Sequence, residues 1–187
     1  MILDIKKYGD PILRAKGKTV PAITDEIRTL AADMLETMRD ANGVGLAAQQ
    51  IGQPIQLAIV DVSDVEDRPS EMFVNGKKVA LRDWMPLIFI NPQLELGKER
   101  VTGTEGCLSF PELTADISRS AHVVARVQLL DGREIEFAST GLLARALQHE
   151  VDHLQGVLFI DRMNSAVKVG LSGKLKRMQR ETLSGTG

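Results

Sequence analysis

Cysteine is nearly absent: Cys107 stands alone among 187 residues, so an intramolecular disulfide is impossible. No stretch stays apolar for the length that a bilayer requires. The opening residues Met1-Ile-Leu-Asp-Ile-Lys-Lys bring an acid and two lysines where a secretory signal needs an apolar run. A charge excess is lacking as well. The 23 basic and 25 acidic side chains leave a net charge of −2, which supplies no global pull toward nucleic acid or anionic membrane. There is no internal repeat and no low-complexity segment. These absences lead to the expectation of a single domain over 1–187, in the cytoplasm, where thiols stay reduced. With 43% apolar and 26% charged residues, the chain is long enough and mixed enough to bury a core.

Histidine is scarce too, yet two of the three lie in one run, Gln148-His149-Glu150-Val151-Asp152-His153. Positions i and i+4 of a helix stand nearly above one another, so both imidazoles can reach one metal ion. Glu150, next to the first of them, is placed to handle the proton of a water at that ion. The surrounding residues support a helix. Leu142, Leu143, Ala146, Leu147, Val151 and Leu154 form an apolar stripe at three- and four-residue spacing, with Ser139 or Thr140 as N-cap and Gly156 as stop. The bland alternative is a pair of ordinary helix histidines around an exposed glutamate. His122, in an alternating strand pattern, reads as a plain strand residue.

The third ligand decides the class. Several metalloprotease groups share this helix and take their third ligand downstream. Here the matching downstream position is Phe159, and no histidine follows His153; the remaining acids are Asp161 and Glu181. Upstream stands Cys107 in Glu105-Gly106-Cys107-Leu108-Ser109. A lone cysteine is more often a small buried hydrophobe. Flanked by glycine-containing turns, in a chain that already carries a two-histidine helix, it becomes the strongest candidate.

Elsewhere, 25–41 reads as an amphipathic helix that Asn42-Gly43 ends, followed by a glycine-rich loop over 43–52. Strand patterns fall at 56–62, at 87–90 (closed by Asn91-Pro92), at 121–130 and at 134–137. Asp131-Gly132 marks a hairpin between the last two. Residues 64–86 are polar and read as an excursion from the core, and the segment after Met163 as a basic tail over 164–187. The class expected is α+β, with antiparallel strands around a buried central helix that carries the histidines.

Three segments together resemble one family, the peptide deformylases. Gly43-Val44-Gly45-Leu46-Ala47-Ala48-Gln49-Gln50 is similar to its G-x-G-L-A-A-x-Q loop, 105–109 to its E-G-C-L-S loop, and 148–154 to its Q-H-E-x-D-H-L helix. Tyr8-Gly9-Asp10-Pro11-Ile12-Leu13-Arg14 looks like its N-terminal segment. The resemblance covers about residues 3–163 and implies hydrolysis of N-formylmethionyl nascent peptides, with release of formate. It implies Cys107, His149 and His153 as ligands of one divalent metal, Fe(II) as the usual ion with Zn, Ni or Co able to substitute. It implies Glu150 as general base and acid, with Gln50 and the Leu108 backbone N–H as donors to the oxyanion. Substrate is expected to bind as an added strand along Gly45 and Gly106, its methionine side chain among Val44, Glu105, Leu142, Arg145 and Ala146.

Arg145 departs from the family, which commonly has an apolar residue there. Either it lays its stem along the pocket and keeps its head in water, or it narrows the preference for methionine. Thr114 stands where many relatives carry a substrate-holding arginine. Gly9 and Gln49 also depart from the commoner choices. Asp152 is expected either to be a solvated charge or to pair with an arginine, Arg119. For the basic tail the resemblance implies a C-terminal helix that docks on the ribosome near the exit tunnel.

Overall fold

A computed structural model describes residues 1–185. The chain is α+β. After a short 3-10 turn at Pro11–Arg14 comes α1 (Asp25–Asp40), then β1 (Gly45–Ala47) and β2 (Leu57–Val60). Next are β3 (Ser70–Val74), β4 (Lys77–Val79), β5 (Leu87–Leu96), β6 (Arg100–Cys107), β7 (Phe110–Ser120), β8 (His122–Leu129) and β9 (Glu134–Thr140). α2 (Gly141–Leu154) and α3 (Ser165–Leu183) complete the order. Seven strands form one antiparallel sheet, β1-β2-β5-β8-β9-β3-β4, and β6 pairs with β7 as a separate hairpin. No helix among the described residues is long and apolar enough to cross a membrane.

Two helices sandwich the β1–β2 end of the sheet. Every residue of β2 is buried, so its pattern is a continuous apolar run rather than an alternation. Leu57 and Ile59 pack with Met34 and Met38 of α1, whereas Ala58 and Val60 share a cluster with Leu143 and Leu147 of α2. Burying a methionine completely contributes about 1.5–3 kcal/mol, so Met34 and Met38 suffice to seat α1. Its start is fixed by Thr24, whose hydroxyl accepts the Ile27 N–H at 3.2 Å. Asn42, at φ 57°, ends it in the left-handed region. A third cluster unites Phe110, Leu113 and Ile117 of β7 with Phe159 and Ile160 of the 3-10 turn Phe159–Arg162 and with Leu175 of α3, and this seats the C-terminal helix.

The polar stretch 64–86 is no excursion. Met72 of β3 is fully buried, and β3 pairs with β9 inside the main sheet. Nor does the fifth strand end at Asn91-Pro92. Asn91 takes φ 52° and a bulge between Ile90 and Gln93 lets β5 run on to Leu96. The Asn91 amide holds both the N–H and the C=O of Val20, each at 2.9 Å, which fixes that bulge.

Candidate metal centre

The N-cap of α2 is Thr140, whose side chain makes no capping bond. The first orphan donors are instead taken by the β3 segment: Leu142 N–H donates to Pro69 O at 3.3 Å and Leu143 N–H to Ser70 Oγ at 2.8 Å. Gly141 is obligatory at this joint, with φ +68° and the Pro69 carbonyl filling the place a Cβ would take. Anchored there, α2 passes through the core and presents His149, Glu150 and His153, all buried.

Cys107 comes from the end of β6, at an irregularity in the β6–β7 register between Gly106 and Cys107. One donor atom each from Cys107, His149 and His153 fits within 4.8 Å of the others, and Cys107 Sγ lies 3.4 Å from His153 Nε2. Phe159 and exposed His122 are no part of this group, and Asp161 is spent elsewhere, on Arg14 at 2.6 and 3.2 Å and on the Leu158 N–H. A thiolate with two imidazoles suits a borderline metal such as zinc or ferrous iron. His153 Nδ1 and Glu150 Oε1 are buried without a hydrogen-bond partner. Thiolate and imidazole donors this close together, with a buried unpartnered carboxylate oxygen of Glu150 beside them, fit a metal.

His149 is aimed by Glu105, whose Oε1 lies 2.9 Å from His149 Nδ1; this leaves Nε2 for the centre. The same carboxylate receives Arg119 Nε and Nη2 at 2.8 and 2.9 Å and Arg145 Nη1 at 2.6 Å. Burial alone would push Glu105 upward, but the Arg119 fork and His149 hold it far below the ordinary carboxylate range. Arg119 also reaches Asp152 Oδ2 at 2.7 Å, and Arg162 holds the other side of Asp152 at 3.0 Å. Asp152 is thus the partner of Arg119. Burial pushes Glu150 up to about 7, with Glu105 and Asp152 adding to the shift and His149 and Arg119 opposing it. Burial, with His149 and Arg119 nearby, lowers His153 well below the usual imidazole range, so it is a neutral base with a lone pair to give.

Cys107, His149 and Glu150 face a cavity of about 610 Å³, whose walls include Val44, Gly45, Gln50, Glu105, Gly106, Leu108, Leu142, Arg145 and Ala146. Gln50 is buried, with its Oε1 accepting the Ala47 N–H at 2.9 Å and its Nε2 reaching Ser109 Oγ at 3.1 Å and Cys107 Sγ at 3.6 Å. Gly45 lies against Glu150; a Cβ there would overlap the carboxylate. Gly106 is unlike it, since a Cβ there would make only ordinary contacts, with Thr114 at 3.5 Å and Leu113 O at 3.7 Å.

Arg145 corrects one expectation. Its head is not in water: the residue is buried and donates to Glu105, to Ile117 O and to Val101 O, the last two at 2.8 Å. Gly103 makes this possible, because a Cβ at 103 would lie 3.2 Å from three guanidinium atoms. The part played by Glu105 in aiming His149, and those of Ser109 and Gly103, had no signal in local sequence.

A helix pair of buried histidines, a cysteine from a distant hairpin and a buried glutamate beside an open cavity define a class: hydrolases built around a single candidate metal centre. The profile of the Polypeptide deformylase family matches residues 2–169. A peptide deformylase of Methylacidiphilum infernorum is 43% identical over 180 residues, 96% of this chain and 94% of the relative. Among solved structures, Arabidopsis thaliana peptide deformylase 1B in complex with an inhibitor superposes with a TM-score of 0.83 at 31% identity, over 99% of this chain and 94% of that one. The Ehrlichia chaffeensis enzyme in complex with actinonin gives 0.79 at 30% identity, over 94% and 96%. The chain belongs to the peptide deformylase family and is a peptide deformylase enzyme.

Proposed function

We propose that this chain removes the N-formyl group from the N-terminal methionine of newly synthesised polypeptides and releases formate. The observation that carries the reading is the convergence of Cys107, His149 and Glu150, whose Oε1 has no hydrogen-bond partner, on one cavity, with His153 buried against Cys107. Cys107, His149 and His153 would hold one divalent metal, with Fe(II) favoured and Zn, Ni or Co as substitutes. When bound, that ion supplies Lewis acidity that makes water nucleophilic near neutral pH.

Glu150 takes a proton from the attacking water and passes it to the departing amine as the formyl C–N bond breaks. Gln50, held by Ala47 and Ser109, donates its amide to the oxygen of the formyl carbonyl as charge develops there, together with the Leu108 N–H. Each such donor is worth about 3 kcal/mol in the transition state. Gly45 belongs to β1, the edge strand of the main sheet, where a peptide can add as a further strand beside Gly106. The methionine side chain enters among Val44, Leu142, Ala146, Arg145 and Glu105. A thiolate ligand and a formylated nascent substrate both suit the cytoplasm. The exposed Lys168, Lys176, Arg177 and Arg180 of α3 suit contact with ribosomal RNA near the exit tunnel.

The test is an anaerobic assay of formate release from a formyl-Met tripeptide beside its unblocked counterpart. Formate from the first, with no cleavage of the second, is expected. Internal cleavage of the unblocked peptide, or no formate at all, would overturn the proposal.

A further inference from the structure

Two arginines line the cavity, and their situations are opposite. Arg145 is buried and spends its donors on Glu105, Ile117 O and Val101 O. Arg68 is half-buried at the same cavity and has no hydrogen bond or ion pair among the described residues. Acids are close in sequence, since Asp64, Glu66 and Asp67 precede it, yet none pairs with it. A guanidinium that has given up part of its water without gaining an acceptor is a site for an anion.

The backbone next to this side chain is fixed. Pro69 and Ser70, the next two residues, take the first N–H groups of α2, at 3.3 and 2.8 Å. Gly141 packs directly on the Pro69 carbonyl. Arg68 therefore hangs from a joint fixed to the helix that carries His149 and Glu150, beside the cavity wall Leu142. The other charges on the cavity are Lys7, whose Nζ donates to Ile5 O at 2.9 Å, and Glu105, Glu112 and Glu150. Glu105 is neutralised by two arginines, and Glu150 belongs to the centre.

We infer that Arg68 is a specificity-determining residue that recognises a carboxylate on the side chain of one of the residues following the formylmethionine. The inference rests on the deformylase reading above. A guanidinium matches a carboxylate with two parallel N–H···O bonds, and lysine cannot reproduce that fork. A carboxylate could also come from the C-terminus of a short peptide, so the peptides of the test are amidated.

The experiment compares kcat/KM for amidated formyl-Met-Ala-Ala peptides carrying Asp or Lys at either alanine, with wild type, Arg68→Ala, Arg68→Lys and Arg68→Glu. The wild type should prefer Asp over Lys by about three- to fivefold, a preference that shrinks as salt rises. Arg68→Ala should bring the ratio near one, Arg68→Glu should invert it and Arg68→Lys should keep part of it. If Arg68 only braces its loop, all peptides fall by one factor and the ratio stays put, which overturns the inference. The same peptides with free C-termini are run alongside, and a preference seen only with them overturns it too. Failure of every formyl peptide to yield formate would instead bring down the deformylase reading itself.

Discussion

Four donors converge on the Glu105 carboxylate, from Arg119 twice, from Arg145 and from His149. Glu105→Gln would leave buried Arg145 without its anion and Arg119 with Asp152 alone, which costs about 3–5 kcal/mol. It would also loosen the His149 ring, so metal affinity should fall about 10- to 100-fold in competition with a chromophoric chelator. Unchanged retention would show that Glu105 does not aim the ligand. The Arg145–Gly103 pair gives a second prediction. Gly103→Ala should cost about 1 kcal/mol by crowding the guanidinium, and much less in an Arg145→Met background, so a double-mutant cycle on thermal unfolding should show coupling. None of this was legible in the sequence. The fork of Arg119 and Arg145 on Glu105 depends on the β6–β7 hairpin docking against α2, and no local period encodes such a contact.

At the scale of elements, the histidine helix was legible because 3.6-residue periodicity and the stop at Gly156 agreed, and α1 likewise because its stripe ran into Asn42-Gly43. The β6–β7 hairpin went unread, although Leu113, Ala115 and Ile117 alternate with exposed Thr114 and Asp116 along β7. Only Glu105 is buried along β6, so no apolar alternation marks that strand. β3 was hidden in the same way, since Met72 is its one buried residue and the sheet around it supplies the reason for the strand. Its structural task is testable. Ser70→Ala removes the acceptor for Leu143 N–H and should cost about 1 kcal/mol, with faster hydrogen exchange confined to the first turn of α2. Unchanged exchange there would contradict the capping account.

Across the whole molecule, the N-terminal segment is tied to the C-terminal third. Arg14 forks onto Asp161, and Gly9, at φ +112°, lets Gln179 O of α3 approach to 2.9 Å of where a Cβ would stand. Burial pushes the Asp161 carboxyl up, but the Arg14 fork and the Leu158 N–H outweigh it, and Asp161 ionises below its ordinary range. Its stabilising contribution is therefore complete above the unfolded value of about 3.9 and is lost as pH falls through the lower folded value. The advantage of wild type over Asp161→Asn should be full at neutral pH and should shrink through acid in denaturant melts. A constant difference would exclude ionisation of Asp161 as its source.

The central claim is that Cys107, His149 and His153 hold the ion while Glu150 moves the proton. The most direct measurement is metal content and formate release, read together on anaerobically prepared wild type and Glu150→Ala. Metal per chain should be equal in the two, and formate release should be reduced by about 10²- to 10⁴-fold in the variant. Undiminished release, or a variant that has lost its metal, would contradict it.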